Sequence, residues 1–265
     1  MARLFHKNER KRSPLRDKSL RNPGESLQEE IEKLINDRFM PFVAATILIL
    51  TMAAYEWWRV FSDFPPQPFG ITVIAIGFLG YTTYKFFQTR KQVRRLKLGM
   101  EGERVVGQSL EHLRSQGFHV FHDILADGFN IDHVLVGPQG IFAIETKTFS
   151  KPLKGNPKVS YDGERFLVNG RKFECNPAKQ AMAERDWISN LLFEMTGRKF
   201  KVKGVVLMPG WWIEPPTDWS RIDVWVLNPK AFPTFLKREP IVLKKEDINL
   251  VCSRLTTHVR CYKNV

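Results

Sequence analysis

The chain is 265 residues long, the size of one large domain or of an ordinary domain with accessory segments. Its 43% hydrophobic content excludes a wholly disordered or low-complexity chain, and a net charge of +13 points to an anionic neighbour, either nucleic acid or a lipid headgroup surface. Cys175, Cys252 and Cys261 are too few and too scattered for a disulfide framework or a Cys-rich zinc site, so a reducing compartment is expected.

The charge is unevenly placed. Residues 1–38 carry ten Lys/Arg against seven acids, and residues 85–97 carry six and no acid. Residues 99–265 hold 24 basic and 19 acidic side chains, so more than half of the excess flanks two apolar runs. Residues 1–24, basic and rich in Pro, Ser and Asn, are expected to form a disordered arm touching anionic lipid or nucleic acid. Ser26-Leu-Gln-Glu29 reads as a capping box, after which Leu27, Ile31, Leu34 and Ile35 share a helical face. That helix is either interfacial or self-associating, which leaves a homo-oligomer open, or a solvated lead-in to the first apolar run.

Phe39–Tyr55 and Phe69–Tyr84 contain no charge. A 17-residue helix rises ~25 Å, slightly short of a ~30 Å hydrocarbon core. Trp57 and Trp58 extend the first run to headgroup level, and Lys85 can snorkel while Phe86 and Phe87 extend the second. Pro65-Pro66-Gln67-Pro68 between them forbids a continuous helix and forces a reversal. Neither run has the polar face of a surface helix, so two transmembrane helices over residues 39–87 are expected rather than a pair of core helices or a re-entrant hairpin. Basic residues before the first span and after the second, with only Arg59 between, place both ends in the cytoplasm of a multi-pass inner-membrane protein. A cleavable signal peptide is not expected, because the apolar region starts late and lacks a small-residue cleavage site.

Beyond a basic juxtamembrane linker, residues 88–97, the pattern over 98–265 is that of a cytoplasmic α/β domain. Met100–Arg114 is helical by period. His119–Ala126, Ile131–Val136 and Ile141–Thr148 read as strands, with a tight turn at Gly137-Pro-Gln-Gly140. Shorter hairpins turn at Asp162-Gly163 and Asn169-Gly170. A helix over Ala178–Thr196 is opened by Asn176-Pro177 and closed by Gly197. Strands at Lys203–Met208 and Ile222–Leu227 and a closing helix at Lys245–Tyr262 complete the domain.

The hairpin at Ile131–Thr148 carries the chemistry. With a two-residue turn, Gly137 faces Gly140 and Asp132 faces Glu145, with Cβ atoms ~4.5–5.5 Å apart. Two carboxylates that close repel unless a cation lies between them, and their oxygens suit Mg²⁺ or Mn²⁺. Lys147 projects on the face of Glu145, one pleat (~6.6–6.8 Å) further on. Such a group could hydrolyse phosphodiesters, the metal acidifying a water and the lysine orienting the hydroxide. A bulge at Gly140 would instead put Asp132 opposite Thr146. Glu145 and Lys147 also share a face with Ile141 and Ala143, while Phe142 and Ile144 fill the other, so both faces look covered.

These residues carry a resemblance. Gly99-Met-Glu-Gly102-Glu103, then Asn130-Ile-Asp132 through Ile144-Glu145-Thr-Lys147, then Asn176-Pro-Ala-Lys-Gln180 resemble the NERD (nuclease-related) domain, a branch of the PD-(D/E)XK restriction-endonuclease-like superfamily, over about residues 98–210. The resemblance implies a restriction-endonuclease-like α/β fold, a mixed sheet flanked by helices. It implies Asp132 and Glu145 as metal ligands assisted by the Thr146 carbonyl, and Lys147 as the catalytic lysine. Glu103 would bind a second cation or its water, and Gln180 would orient phosphate or water. The implied function is a Mg²⁺- or Mn²⁺-dependent endonuclease acting on nucleic acid, DNA foremost. The rival is a catalytically idle module serving as a membrane-tethered nucleic-acid or protein binding platform. Ile131 stands where the superfamily name has Pro, a position that bears no ligand.

Blander roles remain open for Glu103, as a first-turn helix acid, and for Gln180, as a surface glutamine. His119, His122 and His133 are not expected to bind metal. Lys151, Lys154, Lys158, Lys199, Lys201 and Lys203 are either phosphate contacts or ordinary solvated or lipid-facing charge. Trp211, Trp212, Trp219 and Trp225 are expected to pack in core or loops rather than stack on bases. No role is assigned to residues 211–265.

Overall fold

The computed structural model describes residues 20–61, 68–126, 128–151, 157–173 and 176–262. Helix α1, Glu25–Lys33, passes through a π-helical turn, Leu34–Phe39, into α2, Met40–Arg59. The wider turn has a local cause. Pro41 has no N–H, and in a regular helix its ring would press on the carbonyl four residues back. The expected capping box is not what forms: Gly24 occupies the N-cap with a left-handed φ of 73°, and the Ser26 hydroxyl donates to Asp123 instead. A buried carboxylate competes for that hydroxyl better than a solvated helix end does.

Helix α3 runs without a break from Pro68 to Glu111, 44 residues and roughly 66 Å. It merges the second apolar run, the expected linker at 88–97 and the helix expected at 100–114, so the boundary drawn at residue 98 falls inside one element. A 3₁₀ turn, His112–Gln116, ends it at Gly117, whose φ of 86° only glycine adopts cheaply.

Helices α2 and α3 pair antiparallel. Thr46 and Thr82 hydroxyls meet at 2.6 Å, Trp57 Nε1 donates to Thr72 Oγ1 at 3.0 Å, and Phe42 meets Tyr81 edge to face. Their outward residues, among them Ile47, Leu48, Phe69, Val73 and Ile76, are exposed. Both helices are long and apolar enough to cross a membrane. The Pro-rich reversal at 65–67 lies outside the described residues.

The arm expected over residues 1–24 lies outside the described residues up to residue 19, and its end is not free: Arg21 is buried. Helix α1 docks on α3, so its apolar face is neither interfacial nor solvated. Ile31 is buried, and Leu27 lies over Gly99.

Five strands form the main sheet: β1 (His119–Ala126), β2 (Phe129–Gly137), β3 (Gly140–Thr146), β7 (Val202–Leu207) and β9 (Val224–Leu227), in the order β1-β2-β3-β7-β9. The β1-β2-β3 pairs are antiparallel, and β3-β7-β9 are parallel. A smaller sheet joins β4 (Lys158–Tyr161), β5 (Phe166–Val168), β6 (Arg171–Lys172) and β8 (Trp212–Glu214) in the order β6-β5-β4-β8. Its β5–β6 turn is Asn169-Gly170, both with positive φ, as a two-residue hairpin loop requires.

Every residue of β3 is buried, because helices cover both faces of the main sheet. Phe142 and Ile144 pack with Val106 and Leu110 of α3 and with Phe232 and Leu236 of α5, Phe232–Arg238. Ile141 and Ala143 pack with Ile188 and Leu192 of α4, Pro177–Thr196, and with Val251 and Leu255 of α6, Lys245–Tyr262. The architecture is a mixed sheet flanked by helices, preceded by the apolar hairpin. Residues 211–265 therefore supply the last strand of the sheet and cover on both its faces; β8 and α5 were not anticipated from the sequence.

Candidate active site

The β2–β3 register is the one a two-residue turn gives: Gly137 pairs with Gly140, Val134 with Ala143 and His133 with Ile144, with no bulge at Gly140. The paired ladder ends at His133 and Ile144, and Asp132 and Glu145 are the next residue along each strand. Both are buried, at 6% and 2% exposure. Asp132 Oδ2 accepts the Thr146 N–H at 2.7 Å. The Lys147 N–H donates to Leu207 O at 3.0 Å, which carries the β3–β7 ladder one residue past the strand and fixes where Lys147 points. Its Nζ lies 2.6 Å from Glu145 Oε1 and donates to Gln180 Oε1 at 3.0 Å.

Gln180 is placed by the start of α4. The Asn176 side chain accepts the Ala178 N–H at 3.0 Å, and Pro177 occupies the first turn, where its missing N–H costs nothing. Gln180 Nε2 then donates to Glu184 Oε1 at 2.9 Å. Glu184, buried one turn further along α4, is a site residue that residue order alone did not single out. The signal was its i+4 spacing from Gln180, which puts the two on one face.

Glu103 arrives from α3 because two glycines let that helix approach. A Cβ on Gly102 would stand 1.8 Å from Thr148 Oγ1, and one on Gly99 would stand 3.2 Å from Leu27 Cδ1. Lys147 thus links Glu145 to Gln180, which reaches Glu184, and Glu103 lies near enough for its charge to act on Asp132.

Four carboxyl groups in one buried place perturb one another. Burial, then the charges of Glu145, Glu103 and Glu184, hold Asp132 well above the usual carboxylate range. Burial, then Asp123 and Glu145, push Glu103 up to about 8. Burial, then Glu145, push Glu184 up to about 10. Burial alone would lower the Lys147 ammonium, but Glu145 outweighs it and raises its pKa. Glu103 Oε2, Glu145 Oε2 and Glu184 Oε2 are buried without a hydrogen-bond donor, as are the hydroxyls of Thr146 and Thr148. Such a set of hard oxygens suits a Mg²⁺- or Mn²⁺-like cation. Among the described residues, however, no three His, Cys, Asp or Glu side chains meet closely enough to hold a metal ion as a side-chain cage. The cation chemistry available is that of a carboxylate pair supplemented by other oxygens.

Several of the neighbouring histidine nitrogens and cations have other partners, while His133 Nε2 is buried without one. His122 Nδ1 and His133 Nδ1 meet at 2.8 Å, and His122 Nε2 lies 2.8 Å from Glu111 Oε1. Lys203 bonds Glu239 at 2.9 Å and lies 4.0 Å from the Trp225 ring centre. Lys158 bonds Glu214, Lys151 bonds the Gly210 carbonyl, and Lys199 lies over Phe193; Lys154 is outside the described residues. Trp211 and Trp225 are core, as expected, but Trp212 and Trp219 are 65% and 47% exposed. The short β8 and the 3₁₀ turn at Trp219–Arg221 leave their indoles at the surface.

A search of curated proteins and a search of solved structures return no match to this chain. Residues 98–209 match the model of one family, described as the nuclease-related domain, NERD. The mixed sheet flanked by helices is consistent with the PD-(D/E)XK superfamily. Residues 98–209 thus carry a match to the nuclease-related domain, and two helices that could span a membrane lie towards the N-terminus.

Proposed function

We propose that the protein is a membrane-anchored endonuclease that hydrolyses phosphodiester bonds, those of DNA foremost, with Mg²⁺ or Mn²⁺. The observation that carries this reading is the convergence of Asp132, Glu145 and Lys147 at the end of β3, where Glu145 Oε2 is buried without a donor. Mg²⁺ characteristically takes one or two carboxylates and completes its shell with water and phosphate oxygens, so two acids suffice without a side-chain cage. Asp132 and Glu145 would be those ligands, with the Thr146 carbonyl beside them, and Glu103 would serve a second ion or its water.

A bound cation would polarise the scissile phosphate and acidify a water. Lys147, released from Glu145 as the cation takes over its charge, would turn to the phosphate or the hydroxide. Gln180 would orient the same groups, and Glu184 fixes the Gln180 amide. The exposed apolar surface of α2 and α3 supports an anchor of two spans. Their antiparallel pairing brings the basic flanks to one end, which supports a cytoplasmic placement of both at a bacterial inner membrane.

The test is nicking of supercoiled plasmid by the full chain in detergent. The parent should cut with Mg²⁺ and stop with chelator, and Glu145→Ala and Lys147→Ala should both be silent. Equal cutting by parent and variants would reject this site. DNA retained but never cut by the parent would leave the binding-platform role.

A further inference from the structure

The chain that leaves β3 leads from the acidic site to an apolar cleft. Two residues beyond Lys147, the Phe149 ring packs on Phe173 with centroids 4.5 Å apart, and on Trp211 at 6.2 Å. Lys151 then lies on the carbonyl of Gly210, the residue before Trp211. Two extended residues reach only ~7 Å, so the cleft that Trp211 lines adjoins the acidic site.

That cleft has a volume of about 670 Å³, and Trp211, Trp212, Pro215, Pro216, Trp219 and Phe235 line it. Trp211 is buried, whereas Trp212 and Trp219 are exposed. Both exposed indoles are held from behind. Trp212 starts β8 and pairs with Lys158 of β4. Trp219 rests on Phe235 at 5.6 Å, and Phe235 meets the core ring of Trp225 at 5.5 Å. Their faces leave apolar area that a flat partner would remove from water.

The charges nearby say which flat partner. Glu214 is met by Lys158 at 3.0 Å, and Asp218 by Arg221 at 3.3 Å. The cations in excess are Lys151, on a carbonyl, and Lys230, on the cleft wall. Indole faces bordered by ammonium groups match a nucleotide, which joins an aromatic base to an anionic phosphate. An apolar peptide would use the indoles and leave the ammoniums idle. Asn228, also on the wall, spends its amide on Trp211 O at 2.8 Å and on the Lys230 N–H at 3.0 Å. The cleft therefore offers flat surface rather than free hydrogen-bonding groups there, and stacking of that kind accepts any base. A base inside a duplex is already stacked on both faces, so the occupant is an unpaired one.

We propose that this cleft binds an unpaired nucleobase, stacked against the indoles of Trp212 and Trp219. On the nuclease reading, on which this consequence rests, the base belongs to the strand whose phosphate lies at the acidic site. The substrate class is then single-stranded or locally unpaired nucleic acid.

The test is fluorescence anisotropy of two labelled strands, oligothymidylate and an abasic oligonucleotide of equal length, titrated with the full chain in detergent and chelator. The parent should bind oligothymidylate about tenfold more tightly than the abasic strand. Trp212→Ala should lose that margin, with abasic binding and melting temperature unchanged, and Trp212→Phe should keep most of it. Trp219→Ala is the second variant should Trp212→Ala melt early. Equal affinity of the parent for the two strands would overturn the proposal and leave an apolar protein segment as the occupant. A margin that survives in both alanine variants would overturn it too. Either result leaves plasmid nicking by the parent, and so the nuclease reading, untouched. A margin lost in Trp212→Ala, in a chain that never nicks plasmid with Mg²⁺, would keep the base site and reject the nuclease reading alone.

Discussion

Asp132 Oδ2 accepts the Thr146 N–H at 2.7 Å across the β2–β3 hairpin, so the backbone of one strand aims the carboxylate of the other at the end of the sheet. The bond needs an acceptor, not a charge. Asp132→Asn keeps a carbonyl oxygen there and removes one of four crowded acids. The metal-free variant should be as stable as the parent or more so, by about 1 kcal/mol, with its Mn²⁺ stabilisation lost. Paired melts with and without Mn²⁺ check both halves.

The raised acids set a pH dependence of definite sign. Glu103 and Glu184 titrate at about 8 and about 10 in the folded chain, against ~4.3 in the unfolded one. The native state therefore holds protons that the unfolded state has released. This contribution is complete below about pH 4 and is lost as pH rises through 8 and then 10. Without metal, the parent's melting temperature should fall between pH 5 and pH 9 more steeply than that of Glu184→Gln, by up to about 1.4 kcal/mol per pH unit. Mn²⁺ should stabilise more at the alkaline end. A Glu184→Gln slope as steep as the parent's would show that Glu184 does not carry the effect.

Gly102 is where α3 comes closest to the chain leaving β3. Gly102→Ala would drive a methyl to 1.8 Å from Thr148 Oγ1 and 2.9 Å from Thr148 Cβ, so the hydroxyl cannot simply rotate away. The expected cost is about 1–3 kcal/mol, as for other overpacked positions. Adding Thr148→Ala should recover part of it, since the closest atom goes while the Cβ contact stays. Denaturant melts of the two singles and the double give the coupling.

Lys147 has a structural as well as a chemical part to play. It is the cation beside a Glu145 that is 2% exposed. Lys147→Gln should destabilise the metal-free chain by about 1–3 kcal/mol, because the carboxylate is left without its ammonium. Saturating Mn²⁺ should restore most of that stability but not cleavage. Stability restored together with cleavage would remove the ammonium from the reaction.

Much of this site was legible in residue order, because short-range rules act on short segments. A two-residue turn at Pro138-Gln139 admits one register, and that register pairs His133 with Ile144, leaving Asp132 and Glu145 as the next residue on each strand. The Asn176-Pro177 start of α4 puts Gln180 in its first turn. What was not legible depends on contacts distant in the chain. Ser26 and Glu29 spell a capping box, yet Asp123, 97 residues from Ser26, takes the hydroxyl, and Arg21 takes Glu29. The basic run at 88–97 looks like a linker because nothing local says that α3 continues through it. Trp212 and Trp219 read as core or loop packing, and only the placement of β8 and of the turn after it leaves them at the surface, Trp219 against Phe235.

The proposed chemistry turns on one cation between two acids. Manganese anomalous scattering from crystals of the full chain locates it directly. A single strong peak is predicted about 2.1 Å from one oxygen each of Asp132 and Glu145, with Lys147 Nζ displaced from Glu145 Oε1. No peak there at saturating Mn²⁺, with Lys147 still seated on Glu145, would contradict it.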